Sequence, residues 1–247
     1  TMASTNISFT IITLNEEINI AECIRSIQPY TDDIVVVDSE SSDKTRDIAT
    51  TMGARVFNQP FLGDGAQKQF AADQCLNDWV FSIDADERLG ASSEFEQLIT
   101  ELDPTKQYSV SRANHIFGKR VRFGGSYPDY VIRLFNRQTS KYLGMEHSSL
   151  VGGQTEKTRI ELKHFTHPDV ATMYYKMIRS AQRGAVDRIQ AGKKPRSGIP
   201  SAMWTIIRMY ILQLGFLDGR AGLHWALAAA MRAFLKYEIS FTTRKHH

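Results

Sequence analysis

Short β-branched or aromatic runs alternate with stretches of helical spacing through the first third of the chain, and each run gives way to polar or acidic residues. Ile7 to Thr13 reads as a buried strand, and Ile34 to Val37, Arg55 to Phe57 and Trp79 to Ile83 repeat the pattern. Between them, Ile20, Ile24 and Ile27 give one helix an apolar face that Pro29 ends; Lys44 to Met52 gives a second, closed by Gly53, and Ala66 to Leu76 a third. Asn15 stands where the N-cap of the first helix would, with Glu16 and Glu17 in its first turn. Such alternation predicts a parallel α/β sheet. A further helix, Ser92 to Leu102, stops at Asp103-Pro104, and Gln107 to Ile116, Lys119 to Phe123 and Tyr130 to Phe135 read as extended segments adding an antiparallel region. Beyond Asp169 the spacing turns helical, with Met173, Met177, Ile178, Ala181, Ala185 and Ile189 on one face. A basic linker, Gly192 to Gly198, leads to two more helices, Ile199 to Leu217 and Gly222 to Ile239, hinged at Asp218-Gly219. Two parts are expected: an α/β catalytic body over 1–169 and a basic amphipathic helical extension over 170–247.

In open α/β sheets ligands bind beyond the carboxyl ends of the strands, and Thr13, Asn15, Asp38 and Asp84 all fall there. The Trp79 strand runs into Asp84-Ala85-Asp86-Glu87. In extended chain, residues i and i+2 share a side, so Asp84 and Asp86 face one pocket and raise each other's pKa. A hard divalent cation, Mg2+ or Mn2+, offsets that repulsion; the alternative is a solvated acidic turn capping the next helix. Asp129, in Tyr127-Pro128-Asp129-Tyr130, and Glu146, in Gly144-Met145-Glu146-His147, are candidate general bases, or else turn residues or partners of Arg133 or Arg137. His164 is either a third metal ligand or a satisfied structural histidine. Neither G-x-G-x-x-G nor G-x-x-x-x-G-K-[ST] occurs, so no dinucleotide fingerprint or P-loop supports hydride transfer or NTP hydrolysis.

The formal charge of +3 hides an asymmetry. Residues 1–169 hold 17 Lys and Arg against 24 Asp and Glu, and residues 170–247 hold 13 against 3. The basic segment suits an anionic partner (a membrane surface, a phosphorylated acceptor or nucleic acid) or is a solvated face. The charge-free runs of its last two helices fall well short of the roughly 18 to 20 apolar residues a membrane span requires. They either lie in the plane of a lipid interface or pack on the sheet. Cys23 and Cys75 show no C-x-x-C spacing, and the polar N-terminal residues hold no apolar signal-peptide core, so a reducing, cytoplasmic compartment is expected.

Ile11-Ile12-Thr13-Leu14-Asn15-Glu16-Glu17, Val36-Val37-Asp38-Ser39-Glu40-Ser41-Ser42-Asp43, Gly65-Ala66-Gln67-Lys68-Gln69 and Ser82-Ile83-Asp84-Ala85-Asp86-Glu87 together resemble a GT-A glycosyltransferase of family 2. Tyr127-Pro128-Asp129 spaced before Arg133-Leu134-Phe135, with Gly215-Phe216-Leu217-Asp218-Gly219 near the end, is similar to the bacterial lipopolysaccharide-core β-glucosyltransferase subgroup. The resemblance implies a GT-A fold and an inverting transfer of a hexose, glucose by the subgroup, from a UDP-sugar to a lipopolysaccharide-core or other lipid-linked glycan. It further implies a cytoplasmic enzyme held peripherally on the anionic inner-membrane surface, with no nucleic acid partner. Thr13, Asn15, Glu16 and Asp38 would hold the uridine, and Lys68 would lie near the donor. Asp84 and Asp86 would form a DxD element for ribose and metal. The subgroup's Val-His-Glu is replaced here by Glu146-His147-Ser148, which leaves the base open between Asp129 and Glu146. A nucleotidyltransferase, or an inactive scaffold that binds a nucleotide sugar, are the alternatives.

Overall fold

The apolar runs pair as their pattern requires. In the computed structural model, which describes residues 6–144, 149–194 and 196–245, β1 (Ile7–Thr13) lies between β2 (Asp33–Asp38) and β4 (Trp79–Asp84), with β3 (Arg55–Asn58) outside β2. All four are parallel. Side chains alternate between the two faces of this sheet, as strand geometry demands. Phe9, Ile11, Ile34 and Val36 join the core beside α1 (Ile20–Ile27), α2 (Thr45–Thr51) and α4 (Ser93–Leu98), while Val35, Val37 and Val80 meet Ala71 and Ala72 of α3 (Asp64–Asp73) on the other face. Burial pushes the Cys23 thiol up, and carries that of Cys75 to about 12, so both free cysteines are inert core residues.

The chain divides into two compact units, residues 1–112 with 129–164 and residues 113–128 with 165–247. In the first, an antiparallel extension continues the sheet through β8 (Asp129–Asn136), β6 (Lys106–Ile116), β11 (Gln154–His167) and β5 (Glu87–Leu89), in that order from β4. Only Ala85 and Asp86 join β4 to β5, yet β5 pairs at the far end of this path. The sheet therefore has to curl until its last strand returns beside the end of β4. A two-stranded sheet of β9 (Lys141–Leu143) and β10 (Ser149–Val151) lies apart from it.

One local expectation changes. Asn15 does not cap α1: it sits at φ 55°, a left-handed conformation Asn tolerates, while the N–H groups of Asn19 and Ile20 donate to Glu16 O and delay the helix to Ile20. His164 stands near the end of the 14-residue β11.

The second unit holds the short strand β7 (Lys119–Arg120), paired with the end of β6, and the helices α5 (Val170–Gln190), α6 (Ile199–Ile206) and α7 (Gly219–Lys245). The Asp169 carboxylate caps α5 by accepting from Thr172 N–H at 2.8 Å. Met173, Ala181 and Ala185 bury the expected face, whereas Ile178 stays exposed. Ile116, Val121, Met173, Ala221 and Ala228 form the core. The helix read as continuous from 199 to 217 is interrupted: a π-helical turn follows over Ile207–Leu212, Leu214 is left-handed, and a 3-10 turn covers Gly215–Asp218. Thr205 Oγ1 donates back to Ser201 O, a contact that bends helices. Among the described residues no helix is long and apolar enough to cross a membrane.

Asp218 holds this turn. Its buried Oδ2 accepts from the N–H groups of Arg122 at 3.0 Å and Phe123 at 2.8 Å. Asp218→Ala orphans both donors and is expected to cost about 2–3 kcal/mol of unfolding free energy, read from urea denaturation, with Asp218→Asn costing less.

Candidate functional site

The carboxyl ends of the parallel strands carry linked loops. Thr13 and Asp38 are register partners across β1 and β2, and Ile12 faces Asp84 on the other side. Asp38 is buried and accepts from Ser41 N–H at 2.8 Å and from Ser41 Oγ, while Arg46 Nε stands 3.6 Å away. The Asn15 N–H donates to Ser41 Oγ, and Asn15 Oδ1 accepts from Ser42 N–H. Glu16 N–H donates to Thr45 Oγ1. These contacts tie the loop after β1 to the loop after β2, and Asp38 is the buried anchor of both. Thr13 Oγ1 is buried with no hydrogen-bond partner among the described residues, an unmet demand at the carboxyl end of the strand.

Gln67 closes the adjacent loop. Its side chain, fully buried, donates to Ser39 Oγ and Gln59 O and accepts from Leu62 N–H. Gly65 lets α3 approach β9, since a Cβ there would lie 2.1 Å from Gly144 O. Lys68, on the same helix, lies 3.5 Å from Asp64 and adds positive potential at Asp84.

The acidic cluster at the end of β4 is organised by Arg133. From its sequence context Arg133 is expected only to pair with Asp129 or Glu146. In the structure one nitrogen, Nη2, donates to Asp84 Oδ2 and Glu87 Oε1 at 2.5 Å each, and Glu87 is fully buried. Asp84 does not follow the expected repulsion. Burial works to raise its pKa, but Arg133, then Lys68 and His164, overcome that and hold the carboxyl well below the usual range. Burial dominates at Glu87 and pushes its pKa up despite Arg133. Burial opposes the Arg133 charge too, and the two carboxylates prevail, so it stays charged.

Extended geometry ends at Asp84, because Ala85 and Asp86 form a turn. The two aspartates take different partners: Asp84 goes to Arg133, and Asp86 Oδ1 lies 3.5 Å from His164 Nε2. Pairing of His164 with Glu87 across β11 and β5 sets that approach. Carboxylate oxygen and imidazole nitrogen suit Mg2+ or Mn2+ bound jointly with a diphosphate, which supplies further oxygens. Among the described residues no three His, Cys, Asp or Glu side chains gather as a metal site. Asp129 is held by Arg112 rather than by Arg133 or Arg137, with Nε at 2.8 Å and Nη2 at 2.6 Å, both on Oδ2. Arg112 also comes within 3.8 Å of Glu87, which joins Asp129 to the same network. Glu146 lies outside the described residues.

This chain is similar to several known proteins. Residues 8–180 match the family model described as "Glycosyl transferase family 2". An uncharacterized glycosyltransferase of Rickettsia typhi is 51% identical over 90 residues, 36% of this chain and 31% of that protein. The match thus spans about a third of that relative's length. The lipopolysaccharide core biosynthesis glycosyltransferase LpsC of Rhizobium meliloti is 30% identical over 249 residues, covering 91% of this chain and 88% of that protein. Among solved structures, glucosyl-3-phosphoglycerate synthase of Mycobacterium tuberculosis in complex with Mn2+, UDP and phosphoglyceric acid is 28% identical over 44% of this chain and 43% of that one, at a TM-score of 0.37. The parallel sheet with its antiparallel extension has the GT-A architecture, and on the extent of the family match this chain belongs to glycosyl transferase family 2.

Proposed function

We propose that the chain is an inverting, metal-dependent hexosyltransferase that moves glucose from a UDP-sugar to a hydroxyl of a lipopolysaccharide-core or other lipid-linked glycan at an anionic membrane surface. The observation that carries this reading is the Arg133 cluster, where Asp84, Asp86, Glu87 and His164 meet at the end of β4 beside Lys68. The family match supports glycosyl transfer, and the name of the Rhizobium meliloti relative supports a lipopolysaccharide-core acceptor.

Thr13, Asn15, Glu16 and Asp38 would take the uridine, with the unpartnered Thr13 hydroxyl a ready hydrogen-bonding group. Asp84 would meet the ribose with its free edge while Arg133 fixes its other oxygen. Asp86 and His164 would hold the divalent cation, and Lys68 would attend the diphosphate. When bound, the metal offsets charge that builds on departing UDP. The acceptor oxygen attacks the anomeric carbon on the face opposite UDP. The bond to the β-phosphate oxygen breaks with its electron pair leaving on UDP, and the hydroxyl proton passes to Asp129 or Glu146. Arg112 orients the Asp129 carboxylate for that task.

The test is UDP release from a panel of UDP-sugars, with Mg2+, Mn2+ or EDTA, with and without a deacylated lipopolysaccharide-core acceptor. Acceptor-stimulated release from one donor is expected. Asp129→Asn and Glu146→Gln then assign the base, whose loss is expected to slow turnover by about 10²–10⁴-fold while donor binding persists. Pyrophosphate release would mark nucleotidyl transfer instead, and donor binding without turnover an inactive scaffold.

A further inference from the structure

The second unit carries a surface that its own core leaves uncovered. Met203, Trp204 and Ile207 on α6 and the π-helical turn are 59, 56 and 40% exposed. The following tip, Ile211-Leu212-Gln213-Leu214-Gly215-Phe216-Leu217, has one polar side chain. Its Ile211, Leu212, Leu214, Phe216 and Leu217 are all between 44 and 61% exposed. So much contiguous apolar surface on a folded unit marks a docking face.

The tip is held out by a rigid frame. A Cβ on Gly215 would stand 2.6 Å from Met209 O, and one on Gly222 2.0 Å from Gly215 O, so the turn is packed backbone to backbone against α7. Gln213 O accepts from Gly124 N–H, and the Asp218 carboxylate fastens the base of the turn to Arg122 and Phe123. The large side chains are therefore presented to solvent by construction.

Charge selects the partner. From Arg188 to Tyr237 the chain holds eight Lys and Arg and a single carboxylate, Asp218, which is buried and used internally. Arg208 and Arg220 flank the tip in sequence and are exposed, and Lys119 Nζ reaches Asp218 O at its base. An apolar wedge flanked by cations, in a stretch of chain whose one carboxylate is buried, is complementary to acyl chains beneath a layer of anionic headgroups.

We propose that the 203–217 segment inserts into the interfacial layer of an anionic lipid bilayer, with Arg208, Arg220 and Lys119 on lipid phosphates. This deepens the membrane part of the proposed function and rests on it only there; the transfer chemistry is tested separately. The surface does not span the bilayer but lies in one leaflet.

The experiment is flotation of the full chain with vesicles of phosphatidylcholine alone or mixed with phosphatidylglycerol, together with tryptophan emission. Wild type is expected to float with the mixed vesicles, and to shift its emission to the blue through Trp204, a shift that Trp204→Phe removes. Leu212→Glu with Leu217→Glu is expected to cut partitioning at least tenfold, while urea stability and UDP release to a soluble acceptor stay at wild-type values. Added salt is expected to weaken the bound state without abolishing it. Unchanged flotation of the double variant would overturn the proposal, and so would self-association of wild type in sedimentation that the double variant abolishes, because a second copy would then cover the tip.

Discussion

Arg133→Met is expected to lower the unfolding free energy by about 3–5 kcal/mol, the cost of removing one partner from a buried ionic cluster. The guanidinium is 4% exposed and is the hydrogen-bond donor that Asp84 and the fully buried Glu87 share. Methionine fills the space and leaves both carboxylates without it. Arg133→Lys is expected to lie between the two, because an ammonium keeps the charge but not the planar fork. The pH dependence separates this account from a packing defect. In the wild type Asp84 has a folded pKa below its unfolded value, so its stabilisation is complete above about pH 4 and is lost as pH falls through the folded value. In the Met variant the largest lowering influence on Asp84 is gone and burial is opposed only by Lys68 and His164, so the stabilisation this group contributes is smaller. The deficit should therefore be largest at neutral pH and shrink on acidification towards about pH 4. Urea denaturation at several pH values reads this directly, and a deficit independent of pH would refute the electrostatic account. Turnover should fall together with stability, because Arg133 also fixes the orientation of Asp84, the proposed ribose contact.

The parts of this architecture that the sequence disclosed are those where burial acts on neighbouring residues. Ile7–Thr13, Asp33–Asp38 and Trp79–Asp84 are buried, mostly apolar runs because parallel strands are covered on both faces, and each gives way to polar residues at its carboxyl end. Arg133 was less legible because its partners lie 46 and 49 residues away in sequence. A signal did exist: a single cation inside the apolar run Val131-Ile132-Arg133-Leu134-Phe135 has to find buried anions. Glu87 was hidden for the same reason, since a carboxylate following Asp84 and Asp86 looks like one more solvated charge until the curl of the sheet encloses it. In β11 the alternation of buried Ile160 and Leu162 with outward Glu161 and Lys163 was readable as a strand, but the polar composition of its first half masked the period. The π-helical turn after Ile206 had little local signature beyond Thr205, whose hydroxyl donates back to Ser201 O. Its apolar side chains have helical spacing, and tertiary contacts of Gln213, Gly215 and Asp218 decide where the helix gives way.

Asp86→Ala is expected to reduce UDP release by about 10²–10³-fold at saturating donor, equivalent to roughly 3–4 kcal/mol of transition-state stabilisation. The contrast with Asp84 makes the prediction specific. Asp84→Ala leaves Arg133 short of a partner in the buried cluster, and should lose stability and turnover together. Asp86 belongs instead to the turn after β4 and faces His164 across 3.5 Å, so its loss should reach the cation and largely spare the fold. Binding measurements distinguish the roles without relying on rate. Wild type should bind UDP more tightly with Mn2+ than with EDTA, and in Asp86→Ala that difference should disappear while metal-free UDP affinity stays the same. His164→Ala should shift the same coupling in the same direction by a smaller factor, because a neutral imidazole contributes less than a carboxylate to holding a hard cation. If Mn2+ still strengthens UDP binding to Asp86→Ala as much as it does to wild type, the cation is held elsewhere, and the Asp86–His164 pair has a structural role only.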